Sequence, residues 1–462
     1  MPFILGANSL AGGGYEIDNS LRFNRGSSDY LNRTPASTTN QTTWTYSTWI
    51  KISFDKSNYP RIFSAGTTTA NHFEITLMNE TDGSELRILG DTSSSRTLNW
   101  TTAMKFRDPS AWYHLVVALD TTQATQSNRL KVYVNGSLFS TAGASSVLPS
   151  QNNTYVVNST TQHNIGRSNP YSEYYTGYMA ETYLIDGQQL APSDFGEFDE
   201  DSGIWKPIAY EGTYGTNGFY LEFKDSSALG DDTSGNSNDF TVNNLTSIDQ
   251  TTDTPTNNFC TMNSLDKHAS LTPTEGNLAV SNGTTTYMPI KSTFAVSTGA
   301  WYCETKITSG SENIIAVYLS RLDGSSQTSM DSQRIYYNTS FSGGTIVAQG
   351  VFAYSQGSVG TATTNDIIGI ELDVTGGTLK FYKNGTQVGS TVTNVAISSN
   401  EWQFGTQLYQ GGVSWNFGNA PYTISSGNSD ANGYGNFEYE VPSGYYALNT
   451  KKIGRASCRE RV

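Results

Sequence analysis

Charge is scarce in this chain: only 15% of its 462 residues are Asp, Glu, Lys or Arg. Basic residues are the scarcer sign, 27 against 41 acidic, for a formal net charge of −14. A surface of that sign repels phosphate backbones and anionic bilayers, which argues against nucleic acid as a partner. No apolar run approaches the roughly 18 residues of a bilayer-crossing helix, so membrane insertion is not expected. The opening MPFILGANSLAGGGYEI lacks a basic n-region, and its apolar stretch is too short for a signal peptide. The expectation is a protein made and folded in a cytoplasm.

Cysteine is equally scarce. Cys260, Cys303 and Cys458 are too few for a disulfide framework. A single Cys260–Cys303 bridge and free thiols both stay open. The four histidines, His72, His114, His163 and His268, are scattered, with no HExxH and no cysteine pairs beside them. They read as ordinary strand or loop residues. There is no G-x-S-x-G elbow and no P-loop. Sequons such as Asn135-Gly136-Ser137 are no more frequent than the abundance of Ser and Thr produces by chance, so no glycosylation is inferred.

What the chain does contain is 28 Tyr, 20 Phe, 8 Trp and 44 Gly, among many Ser, Thr and Asn. Aromatic, β-branched and turn residues without many strong helix formers predict an all-β protein. Two stretches state the local device twice: LKVYVNG (Leu130 to Gly136) and LKFYKNG (Leu379 to Gly385). In the first, Leu130, Val132 and Val134 alternate with Lys131 and Tyr133, as a half-buried strand requires. Asn-Gly then supplies the positive φ angles of a type I′ hairpin turn. The blocks around the two copies differ, so they mark one solution in two folds rather than a duplication.

Around the first copy, SLRFNRGSSDYLNRT (Ser20 to Thr34) reads as a short hairpin and WTYSTWIKISF (Trp44 to Phe54) as a long strand. HFEITLMNETDGSELRILG (His72 to Gly90) reads as two strands around Asp82-Gly83, and WYHLVVALD (Trp112 to Asp120) precedes LKVYVNG. With IGRSNPYSEYYTGYMAETYLIDGQQLAPSDF (Ile165 to Phe195), these ordered blocks resemble a LamG or concanavalin A-like jelly roll over residues 18–200. Around the second copy stand GAWYCETKI (Gly299 to Ile307), DIIGIELDVTGGTLKFYKNG (Asp366 to Gly385) and VSWNFG (Val413 to Gly418). These resemble a SPRY domain over residues 259–447, with Cys303 departing from a usual aromatic and Asn365 from a usual Gly. The expected architecture is therefore two tandem antiparallel β-sandwiches after an N-terminal segment, 1–17.

Residues 201–258 read as a connector with short strands. It holds NGFYLEF (Asn217 to Phe223), a LamG-like DDTSGNSNDF, and TSIDQTTDTPTNNF (Thr246 to Phe259) of linker composition. The remaining 448–462 reads as a tail. Its end, IGRASCRERV, looks like the in-frame translation of a short-read sequencing adapter and is set aside from fold reasoning.

Because concanavalin-like folds also host glycoside hydrolases, paired acids matter. Glu197-Phe198-Asp199-Glu200-Asp201 only superficially resembles the laminarinase motif and reads as a turn; Glu371-Leu372-Asp373 matches the SPRY core instead. Asp231, Asp232, Asn236, Asn238 and Asp239 cluster the oxygens that Ca²⁺ prefers, against the plainer reading of an Asx-rich turn. Tyr171, Tyr174 and Tyr175 in NPYSEYYTGY, and Tyr409 in Tyr409-Gln410-Gly411-Gly412, are candidates for stacking on sugar rings, with core packing as the alternative.

Tandem LamG-like and SPRY-like domains after MPFILG…NSLRFN…SSDYLNRT resemble structural proteins of tailed phages. That resemblance implies a virion or tail-associated protein that binds host-surface polysaccharide without cleaving it. Other virion proteins, and further copies of the chain in a homo-oligomer, would be its partners. A glycan-cleaving enzyme and a purely structural decoration protein are the alternatives.

Overall fold

The computed structural model describes residues 14–53, 59–80, 83–139, 146–320 and 333–452. Both the adapter-like end and most of the N-terminal segment lie outside the described residues, as does Asp82. The fold is all-β and antiparallel, as the composition requires; α-helix is confined, among the described residues, to the single turn Val395–Ser398 and to residues 450–452. Among the described residues no helix is long and apolar enough to cross a membrane. The chain divides between Thr256 and Asn257 into two compact units.

The first unit is a two-sheet sandwich. Its strands begin with β1 (Ser20–Phe23), β2 (Tyr30–Arg33), β3 (Thr43–Ile52), β4 (Arg61–Thr68) and β5 (Asn71–Glu80). They continue with β6 (Gly83–Thr92), β7 (Ser95–Phe106), β8 (Trp112–Asp120), β9 (Leu130–Val134) and β10 (Ser137–Phe139). Next come β11 (His163–Ile165), β12 (Arg167–Ser168), β13 (Glu173–Tyr174) and β14 (Gly177–Asp186). After a small hairpin of β15 (Gly196–Phe198) and β16 (Trp205–Pro207), the unit closes with β17 (Phe219–Leu221), β18 (Thr241–Asn243) and β19 (Gln250–Thr251). One sheet runs β10-β9-β8-β3-β14-β1-β19 and the other β18-β2-β11-β4-β5-β6-β7. Alternate residues of both sheets, among them Trp44, Tyr46, Phe63, Phe73, Ile75, Ile88, Leu115 and Val117, interdigitate as one core.

Two expectations are corrected here. Ser20 to Thr34 is not a hairpin: β1 pairs with β14 and β19, whereas β2 pairs with β11 and β18 in the opposite sheet. The chain crosses the sandwich through a 3₁₀ turn capped by Asn24, whose side chain accepts from Gly26 N–H. Nor is 201–258 a connector. Its strands β17, β18 and β19 pair with β14, β2 and β1, so they complete both sheets. In the stretch of linker composition, Asp253 to Phe259 is buried, and the Asp253 carboxylate has partners on both oxygens. Lys51 Nζ donates to Asp253 Oδ2 at 2.7 Å and Trp112 Nε1 donates to Oδ1 at 3.1 Å.

The hairpin at Asn135-Gly136 forms as read, with φ of 47° and 76°. A Cβ on Gly136 would meet the Trp205 ring at 2.4 Å, so this turn needs glycine for packing as well as for φ. The second unit repeats the device at Asn384-Gly385, where a Cβ on Gly385 would meet Tyr439 at 2.7 Å.

In the second unit two long strands, Ala300–Leu319 and Trp402–Asn416, pair along most of their length. The first half of Ala300–Leu319 pairs with Ile367–Asp373, and its second half with Arg334–Asn338. Residues of both regions, such as Ile368, Phe381, Ile315 and Tyr337, meet in one core, so the sheet folds over on itself. Cys260 and Cys303 are buried in this core as thiols, with no disulfide between them. The pairing of Thr450 N–H with the Asn258 carbonyl carries the ordered fold past 447.

Candidate functional site

Because β-strand side chains alternate, every strand of the second sheet that points Phe73, Ile75 or Leu86 inward must present its other residues outward. On β4 to β7 these outward residues form three cross-strand rows. Register aligns Arg61, Thr76, Arg87 and Thr101; then Ser64, Glu74, Leu89 and Asn99; then His72, Asp91 and Arg96. In a chain this poor in charge, such a concentration of Arg, Asp and Glu on one sheet face demands a reason.

Arg61 is the centre of the face. It is buried, and its Nη1 lies 2.8 Å from Glu74 Oε2, while its Nη2 donates to Glu173. Glu74 is itself fully buried and also accepts from Ser168 Oγ. Two tyrosines pack on the same guanidinium: the Tyr171 ring centroid is 5.3 Å from it and that of Tyr59 is 5.8 Å. Tyr59 is 48% exposed and Tyr171 41%, the two most exposed of the described tyrosines. Two rings held by one buried cation and open to solvent offer apolar surface that a ligand can use as a platform.

Polar groups surround this platform. His72 meets the Tyr171 ring edge-on at 5.6 Å; its ring nitrogens are buried and make no hydrogen bond within the protein, Nδ1 lying 3.6 Å from Asp91 Oδ2. Arg96 forks onto both oxygens of Asp91, and that hydrogen bonding raises the Arg96 pKa. Arg87 is half-buried and donates from Nε to Asn99 Oδ1 at 2.9 Å. Burial, with Arg96 and Arg61 nearby, lowers the Arg87 pKa. Burial, with Glu74 nearby, raises that of Tyr171.

Of the residues singled out in the sequence, Tyr171 alone stands on this platform. Tyr174 lies close by but is occupied: the Arg167 guanidinium sits 4.5 Å from Tyr30 and 5.6 Å from Tyr174. Tyr175 is a core residue, 0% exposed, donating to the Lys51 carbonyl at 3.0 Å, and stacks on no sugar. Tyr409 is half-buried against Tyr287, with centroids 4.9 Å apart. The stretch Tyr409 to Gly412 is no turn; it lies within strand Trp402–Asn416, with Gln410 at φ 48°. There a Cβ on Gly411 would meet Asn313 Oδ1 at 2.2 Å, so the glycines serve close strand approach.

The Asp231–Asp239 oxygens hold a turn together. Asp232 accepts from the backbone N–H of Tyr220, Ser234 and Asn238 and from Ser234 Oγ, and Asp239 accepts from Asp232 N–H. Asn236 and Asn238 donate to the Gly218 carbonyl, and Asn238 Oδ1 accepts from Arg33 at 2.5 Å. Asp231 is exposed. The Asx-rich turn accounts for the cluster without an ion.

Each acid pair has a lysine partner. Glu197 and Asp199 flank the β15–β16 hairpin and share Lys206 at 3.2 Å each. Hydrogen bonds from Ser202 and then Lys206 hold Asp199 at about 2, the wrong direction for a general acid. Glu371 is buried and paired with Lys380 Nζ at 2.8 Å. On the outer face of the first sheet, Ser47 and His114 lie 2.8 Å apart, but both are buried. Trp205 donates to His114 Nδ1 at 3.0 Å; an indole N–H only donates, so Nε2 carries the ring proton toward Ser47. This is an anchor for Trp205, with its serine unable to surrender a proton to that nitrogen.

Comparison with known proteins bears on the same unit. Residues 25–189 match a laminin G family model, described as the concanavalin A-like lectin/glucanases superfamily. A search of curated proteins finds no match. Among solved structures, the SPRY domain of human HERC1 is similar at 13% identity and TM-score 0.26, over 33% of this chain and 96% of that one. A heptameric SAP-like pentraxin from Limulus polyphemus is similar at 15% identity and TM-score 0.31, over 50% and 95%. Mouse laminin alpha1 domains LG4-5 are similar at 9% identity and TM-score 0.29, over 89% and 91%.

Sequence reasoning missed Tyr59, Arg61, His72 and Arg87. A signal existed: in HFEITL the polar residues His72, Glu74 and Thr76 alternate with apolar ones on a strand that is otherwise core.

Proposed function

We propose that this protein binds polysaccharide without cleaving it, through the Tyr59–Tyr171 platform of its first sandwich. The observation that carries the reading is the pair of exposed tyrosines fixed over buried Arg61. Sugar rings offer an apolar face and a polar rim, matching exposed rings fringed by the half-buried Arg87 and Asn99. The concanavalin A-like match over 25–189 supports it, since that fold commonly binds carbohydrates. Its setting is a tailed-phage virion: the chain is made in the host cytoplasm, assembles with other virion proteins and acts on the host surface. Support for that setting is the tandem resemblance and the acidic, cysteine-poor composition. One shallow site is weak, roughly millimolar, and linked copies raise avidity by about 10² to 10⁴. Probing a glycan array with the chain free and bead-coupled tests the proposal. Binding only in the coupled form is expected; released reducing ends would make it an enzyme, and no binding in either form a decoration protein.

A further inference from the structure

The platform's charges are unequally matched. Arg61, Arg87 and Arg96 share the face with Glu74, Glu85, Glu173 and Asp91, but each of these carboxylates is engaged elsewhere than Arg87, Glu85 lying 3.8 Å from Lys105. Glu74 and Glu173 hold Arg61, and Asp91 is gripped by Arg96. Among the described residues no carboxylate pairs with Arg87, whose one hydrogen bond is its Nε to Asn99. Cross-strand register sets Arg87 in the same row as Arg61, with only Thr76 between them. The half-buried Arg87 is therefore a cation with no carboxylate paired to it, set beside Arg61 and Arg96 with Glu74 the nearest compensating charge. On the same face the buried His72 Nε2 makes no hydrogen bond within the protein, a second polar group left unsatisfied.

Resting on the glycan-binding reading above, we infer that the sugar bound at this platform carries an anionic oxygen group, carboxylate or sulfate ester, taken by the Arg87 guanidinium. Tyr171 and Tyr59 hold the ring, and Arg87 reads the charge beside it. A guanidinium fork grips two oxygens of one anion at once, whereas a lysine offers a single point charge. The chain's net charge of −14 opposes such a ligand at long range. That repulsion is screened beyond about 8 Å at physiological salt, so the local cation decides the contact.

The test uses the full chain coupled to beads, with polygalacturonate, dextran sulfate and uncharged dextran as probes. Wild type should retain one or both acidic polymers at least about tenfold more tightly than dextran, the scale of one charged hydrogen bond. Which acidic polymer it prefers identifies the carboxylate or the sulfate. Arg87→Gln should erase the preference while keeping dextran binding, and Arg87→Lys should restore only part of it. Lys131→Gln removes a charge from the opposite sheet and should change nothing, which separates recognition from bulk electrostatics. Equal retention of dextran and the acidic polymers, or an Arg87→Gln variant with the wild-type preference, would overturn the inference and leave glycan binding standing. Failure of all three polymers, with Tyr171→Ala indistinguishable from wild type, would remove the glycan reading itself.

Discussion

Tyr171 lies over the Arg61 guanidinium at 5.3 Å while 41% of its surface stays open to solvent. A ring that is both fixed and exposed does not serve the core, and its removal separates binding from stability. Tyr171→Ala should weaken polysaccharide retention about tenfold and lower stability by less than about 1 kcal/mol, the worth of an exposed cation–π contact. Frontal affinity measurement beside a urea melt checks both halves. A large stability loss would mean that Tyr171 is structural.

Part of this was legible in the sequence and part was not. Alternation found the strands because one face of each meets the core, and Asn-Gly found both hairpins because φ above zero is costly for other residues. Turn composition misled twice. Ser20 to Thr34 reads as a hairpin because local pattern says nothing about which sheet a strand joins. Thr246 to Phe259 reads as a linker because a polar stretch looks solvated until its partners, Lys51 and Trp112, arrive from β3 and β8. Of the five platform residues only Tyr171 is visible, because it stands in a conspicuous tyrosine-rich loop. Tyr59, Arg61, His72 and Arg87 lie far from it in the chain and meet it only through sheet register.

Glu74 is the buried counter-ion of Arg61. Glu74→Gln should cost about 3 kcal/mol or more, because it leaves a buried guanidinium short of one charge. Urea unfolding of the first unit reads this, and a change below about 1 kcal/mol would show that Glu173 alone suffices.

Burial pushes His114 down to about 3 and His163 down to about 4. Both are neutral when folded at pH 7, and the unfolded chain binds the extra protons below about 6.5. Their stabilisation is therefore full above the unfolded pKa and is lost as pH falls toward the folded values. Glu181, raised by burial despite bonds from Tyr183, Tyr220 and Tyr15, works in the opposite sense and loses stability as pH rises. Comparing wild type with His114→Gln isolates one group. The wild-type advantage at pH 7.5 should shrink by about 1 kcal/mol per pH unit between 6 and 4, and a pH-independent difference would contradict the burial.

The Asp231–Asp239 turn is held by its own hydrogen bonds, so calcium should not matter to it. Adding EDTA or millimolar calcium is expected to leave the melting temperature within about a degree, since only ligands that bind the folded state raise it. A calcium-dependent rise abolished by Asp232→Asn would return the cluster to a metal site.

The most direct test of the central claim is retention of host-surface polysaccharide by bead-coupled protein, wild type against the Tyr59→Ala/Tyr171→Ala double variant, with reducing ends counted in the same tube. Wild type should retain the polymer, the double variant should lose at least about tenfold, the scale of a displaced stacking platform, and no new reducing ends should appear. Equal retention by a folded double variant, or a steady release of reducing ends, would contradict it.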